Sequence, residues 1–201
     1  MADYTAIADV GETLIDLLRE KMQDLVNPSS IILASPGEIE AQDSPRLCLF
    51  LYQVIESPYL KGQEMQALNS TTMKYPPVTL DLYYMLTSYG SPQMTDKTER
   101  SIEEHKVLGR AINILYDNAI LRGSVLRGSL AGTGEELKVT FHPIPIDDLN
   151  RLWNSFPDKP LKVSVCYMVT PVKIDSTRQL EARRVIEKET DYYQIRKAST
   201  P

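Results

Sequence analysis

RLCLFLYQVI, residues 46–55, sets the fold class. Almost every position is apolar, and branched and aromatic side chains dominate. That composition predicts a central β-strand covered on both faces. A second stretch, Val78 to Leu86, alternates instead. Val78, Leu80, Leu82, Tyr84 and Leu86 fall on one side, and Thr79, Asp81, Tyr83 and Met85 on the other. Further strands are expected at Leu137, Val139 and Phe141, and over Leu161 to Val169, where Pro171 and the turn-prone Asp175-Ser176 interrupt the line.

Helical spacing occurs in three places. From Thr5 to Leu25, the residues Ile7, Val10, Leu14, Leu17, Leu18, Met22 and Leu25 form one stripe, ended by Asn27-Pro28. A second helix starts near Asp96, with Glu99 placed for a capping box. It buries Ile102, His105, Leu108, Ile112, Leu115 and Ala119 and stops at Gly123. Ile146, Leu149, Leu152, Trp153 and Phe156 make a short third stripe behind Asp147 and Asp148, which suit the positive end of its dipole. Helices interspersed with hairpin-like strands give an α+β single domain. Its mixed or antiparallel sheet packs with about three helices over residues 1–180, and 181–201 form an extended C-terminal arm.

The chain has 201 residues, 42% of them hydrophobic, enough for a core that buries roughly 70% of the unfolded surface. Its net charge of −5 repels phosphate backbones, so nucleic acid is not an expected partner. No apolar run reaches the ~18 residues of a membrane span, and MADYTAIADVGE lacks the basic flank and apolar core of a signal peptide, so no membrane association is expected. Cys48 and Cys166 sit within strand-like runs and read as reduced core thiols.

Chemistry-bearing patterns are weak. His105 and His142 are the only histidines, and no cysteine lies at short spacing to either, so no metal is expected. Gly128 to Gly134 (GSLAGTG) lacks the Lys-Ser/Thr ending of a phosphate loop and runs into a strand, so no cofactor is expected. No serine stands in a Gly-x-Ser-x-Gly elbow. These readings favour a protein that is not an enzyme. Ser57 to Pro77 is long and polar, a loop that binds something or orders late. The near-repeat Leu121-Arg122-Gly123-Ser124-Val125 and Leu126-Arg127-Gly128-Ser129-Leu130 is too short for a solenoid unit. Arg183 to Ile195 (RRVIEKETDYYQI) mixes charge with branched and aromatic residues, as an arm awaiting a partner would.

Several ordered stretches, spread over nearly the full chain, resemble the cap subunits of extracellular contractile injection systems and related prophage-like particles. They are Pro77 to Gly90 (PVTLDLYYMLTSYG), His105 to Ala111 (HKVLGRA), Leu115 to Asn118 (LYDN), Leu126 to Leu130 (LRGSL), Leu152 to Pro160 (LWNSFPDKP) and Ser164 to Asp175 (SVCYMVTPVKID). The resemblance implies a homo-hexameric ring that closes the sheath and inner tube at the end away from the baseplate. Such a protein is assembled in the cytoplasm and leaves in a particle that is released. Some relatives carry a further C-terminal portion. On this reading, Arg122, Arg127, Ser129 and Thr133, in an irregular glycine-rich region, are candidate ring or tube contacts. Val185, Tyr193 and Ile195, with Arg183 at the head of the arm, would set the register of a strand added to a sheath or neighbouring-cap sheet. A baseplate ring component and a cytosolic enzyme are the alternatives.

Overall fold

The computed structural model describes residues 3–40, 42–60, 64–69 and 71–181. Among these, the residues within 3–60 and 77–175 form a larger body, and those within 64–76 and 176–181 a small unit. In chain order the helices and strands are α1 (Ala6–Lys21), β1 (Ile31–Leu33), β2 (Leu47–Glu56), β3 (Gln66–Ala67), β4 (Thr72–Lys74), β5 (Val78–Ser88), α2 (Lys97–Asp117), β6 (Ile120–Arg122), β7 (Glu136–Phe141), α3 (Ile146–Trp153), β8 (Ser164–Ile174) and β9 (Gln179–Glu181). Of these, β3, β4 and β9 belong to the small unit and the others to the body.

The body's sheet runs β1-β2-β5-β8-β7-β6, antiparallel throughout except for the parallel pair β1 and β2. Leu82, Tyr84 and Leu86 face one way, into a core shared with Val10, Leu14 and Leu18 of α1 and Val107, Leu108 and Ala111 of α2. Met85 and Cys166 face the other way, against Trp153 and Phe156. The period-2 grouping read from the sequence holds, and α3 covers part of the second face.

The two expected strand environments are exchanged. Only Leu47, Cys48 and Leu49 of β2 are buried, and the strand becomes half-exposed and then exposed toward Glu56. β5, read as alternating, is the strand enclosed on both sides, buried from Leu82 to Ser88. Position in the sheet explains the exchange. β5 lies between two long neighbours, and its polar residues are paired: Thr170 donates to Asp81, and the hydroxyls of Thr87 and Ser164 lie 2.8 Å apart.

Element ends also shift. α1 stops at Lys21, with Met22 N–H bonded to Leu18 O, short of Leu25, which is 40% exposed. Asp96 caps α2 by accepting from Glu99 N at 2.8 Å. The buried face of α2 is Val107, Leu108, Ala111, Ile114 and Leu115, which leaves Ile102 and His105 exposed, and the helix ends at Asp117 before Gly123. The first turns of α2 are held instead by polar contacts, with Glu104 accepting from Gly90 N and Glu103 from Ser91 N, each at under 3 Å. β8 starts later than expected and runs through a cis Thr170–Pro171 bond to Ile174, with Leu161 and Val163 left exposed. Ser57 to Pro77 is not one loop: it contains β3 and β4. In the small unit β3, β4 and β9 form a three-stranded antiparallel sheet, with the Arg178 guanidinium 4.3 Å from the Tyr75 ring centroid.

Candidate assembly interface

The near-repeat folds as a pair of single 3₁₀ turns, Gly123–Val125 and Gly128–Leu130. Each opens on a glycine in the left-handed region, φ +63° at Gly123 and +54° at Gly128, where a side chain is strained. Leu126 and Leu130 are buried, and the polar residues between them are exposed or half-exposed.

The second turn is fastened to α1 through Asp9, a carboxylate only 6% exposed. Its Oδ2 accepts from Ser129 N at 2.9 Å, from Ser129 Oγ at 2.6 Å and from Thr5 Oγ1 at 2.8 Å. One turn further along α1, Thr13 Oγ1 donates to Asp9 O at 2.7 Å and accepts from Arg127 N at 3.1 Å. Arg127 Nε pairs with Asp16 Oδ2 at 2.9 Å. An alanine Cβ at Gly128 would lie 2.1 Å from Asp9 Oδ1, so the backbone approaches the carboxylate as only glycine allows.

Thr5, Asp9 and Thr13 form a polar seam at four-residue spacing inside an otherwise apolar stripe. A buried acid between Ile7 and Val10 was the sequence signal for this contact, and Gly128 in the repeat was its other half. Replacing Asp9 by asparagine keeps one acceptor and removes the charge that shortens these bonds. It is expected to lower stability by about 1.5 kcal/mol in urea unfolding and to speed hydrogen exchange at the Ser129 amide.

The structure gives the candidate contact residues different surroundings. Arg122 is exposed on β6 and pairs with Glu136 at 3.2 Å. Arg127 and Ser129 are engaged with α1, and Thr133 Oγ1 donates to Leu130 O at 2.8 Å. Arg183, Val185, Tyr193 and Ile195 lie outside the described residues. Of the two histidines, His105 is exposed and His142 packs edge-on to Tyr83, ring centroids 4.8 Å apart. Among the described residues no group of three or more His, Cys, Asp or Glu is placed to hold a metal, and no helix is long and apolar enough to cross a membrane. Cys48 and Cys166 are free and buried.

A second feature, missed in the sequence, is an open apolar groove of about 490 Å³ between α1, β1 and β2. Ile7, Ala8 and Gly11 of α1 line it together with Leu33, Leu49 and Leu51, the buried Tyr84 and the exposed Glu38. Gly11 permits the close approach of Leu33, whose Cδ2 would be 2.8 Å from an added Cβ.

Compared with known families, residues 9–188 match the Pvc16 N-terminal domain. The chain belongs to that family. Solved structures share its fold. The sheath/tube terminator of the extracellular contractile injection system PVC, in the extended state, superposes with a TM-score of 0.67 at 20% identity, over 99% of this chain and 67% of that one. The tube-terminating cap of the anti-feeding prophage gives 0.63 at 21% identity, over 92% of this chain and 61% of that one. The chain therefore spans about two thirds of the first of these relatives and less of the second. None of the curated proteins matches it. The Pvc16 N-terminal domain is thus an α+β body with helices on both faces of a mixed sheet.

Proposed function

We propose that this chain is the structural cap of a contractile injection particle, a homo-hexameric ring that ends the sheath and inner tube and has no catalytic role. The observation that carries this reading is the match of nearly the entire chain to two terminators, one of sheath and tube and one of tube, together with its family membership. The physics of termination needs no chemistry. A polymer grows when each added ring offers a top surface like the one it bound; a cap complements that surface below and offers no copy of it above. A closed ring requires a heterologous contact, one patch meeting a different patch on the next copy. Each contact with the polymer can then be modest, because tethered contacts gain avidity of about 100-fold or more.

Arg122, Arg127, Ser129 and Thr133 remain proposed contacts with the ring or tube. Of these, Arg122 presents the most accessible group, whereas Ser129 is committed to Asp9. The segment Arg183 to Ile195 is proposed to add a strand to a sheath or neighbouring cap. The test is the length distribution of particles assembled without this chain. Sheaths and tubes of irregular length with unfinished ends are expected by electron microscopy, and regular, closed ends would overturn the reading.

A further inference from the structure

α2 is fastened to the body in two different ways along its length. Within residues 97–106 none is buried, and only Glu103 and Glu104 are even half-covered. Ile102, the large apolar side chain of this half, is 48% exposed. From there on, Val107, Leu108, Ala111, Ile114 and Leu115 enter the core. A helix ordinarily docks by an apolar stripe, and only the second half of α2 does so.

What holds the first half is polar, and it converges on one end of the sheet, where β2 and β8 begin and β5 ends. Glu103 Oε1 pairs with Arg46 Nη2 at 2.7 Å, and its Oε2 accepts from Ser91 N at 2.9 Å. Arg46 also donates from Nε to Tyr89 O at 3.0 Å. Glu104 Oε1 accepts from Gly90 N at 2.8 Å and from Lys162 Nζ at 3.1 Å, and Lys162 lies 5.2 Å from the Tyr89 ring centroid.

The two halves meet near Gly109. It stands in the helix interior, where glycine weakens a helix relative to alanine. No packing requires it, because a Cβ built there meets nothing within 4 Å. A weak point with no steric reason therefore stands where apolar burial begins.

We infer that residues 97–106 form an ionic latch, which opens as a unit while residues 111–117 stay packed, the helix parting in the turn that ends at Gly109. Opening frees Arg46, Lys162, Gly90 N and Ser91 N, donors that now hold two carboxylates. Such contacts can be exchanged in kind for the carboxylates of a partner, whereas buried apolar contacts have no such substitute. The inference stands or falls independently of the cap reading.

Hydrogen exchange of the full-length chain tests it, because local opening and global unfolding separate by segment. In the unmodified chain, residues 101–106 are expected to exchange at least tenfold faster than 111–117. Glu103→Gln with Glu104→Gln keeps the acceptors and removes the charges. That pair should speed exchange at 101–106 at least tenfold further and leave 111–117 unchanged. Adding Gly109→Ala should narrow the gap between the two segments at least threefold. Equal exchange of the segments in the unmodified chain overturns the inference. So does an equal acceleration of both in the double variant, no acceleration in either, or a gap that Gly109→Ala leaves as it was.

Discussion

Replacing Gly128 by alanine is expected to cost about 4 kcal/mol, whereas the same change at Gly123 costs about 1 kcal/mol, although both glycines occupy the same place in the near-repeat. Both have positive φ, and alanine there carries the left-handed penalty of about 1 kcal/mol. Beyond that the two sites diverge. Nothing lies within 4 Å of a Cβ built at Gly123, while at Gly128 it meets Asp9 Oδ1 at 2.1 Å and Asp9 Cγ at 2.4 Å. Asp9 is buried and cannot yield without releasing Ser129 N, Ser129 Oγ and Thr5 Oγ1. Losing charge-assisted bonds of this kind costs about 3 kcal/mol, which makes up the difference. Urea unfolding of the two variants side by side checks this. Equal losses would mean that the turn is strained but not fastened to α1. Adding Asp9→Ala to Gly128→Ala should recover part of the loss, because the clash disappears with the carboxylate.

Much of the fold was legible because apolar periodicity reports which side chains share a face. Leu82, Tyr84 and Leu86 were separated correctly from Tyr83 and Met85, and α1, α2 and α3 were placed within a few residues. How deeply a strand is buried was not legible, since that depends on its neighbours in the sheet. RLCLFLYQVI has the composition of a central strand, but β1 flanks only its first residues. In β5, Thr79 and Asp81 read as the polar side of an alternating strand, yet both are buried, as is Thr87 beyond the expected strand. Pairing with Thr170 and Ser164 lets Asp81 and Thr87 go inside, and such partners lie far away in the chain.

The candidate interface was legible in the same partial way. Glycine and serine in the near-repeat pointed to an irregular, close-packed segment, and the structure has one. Which of its polar groups remain available was hidden, because Ser129 and Arg127 are engaged by Asp9 and Asp16 from a helix more than a hundred residues earlier. The groove left no local trace at all. It exists because β1 is short, α1 carries Gly11 at the closest approach to Leu33, and β2 continues past the end of its neighbour.

Raising the pH from 9 to 11 is expected to remove about 4 kcal/mol of stability, a loss that starts from the thiols and is extended by the tyrosines. Burial pushes the Cys48 thiol up from 9.0 to about 12, and Cys48 is only 1% exposed. Above pH 9 the unfolded chain releases that proton while the folded chain keeps it. The unfolded state then binds fewer protons, so stability falls with rising pH, by about 1.4 kcal/mol per unit for each such group, until the folded value is reached. Cys166 is raised for the same reason and acts in the same direction. Burial also raises Tyr84, which adds its own slope from pH 10 upward. Below pH 8 none of these groups contributes, and the alkaline limb is absent. Urea unfolding across pH 8 to 11 measures the effect. Cys48→Ala should flatten the first part of the decline and Tyr84→Phe the second, whatever each costs at pH 8; slopes identical to the unmodified chain would refute the assignment. The position of the first group gives the decline a structural order. Cys48 Sγ donates to Ala34 O at 3.1 Å, at the end of β1, so its ionisation repels the carbonyl that holds this strand in place. Hydrogen exchange at Ile31–Leu33 is therefore expected to accelerate before exchange in β5, and the rim of the groove opens first.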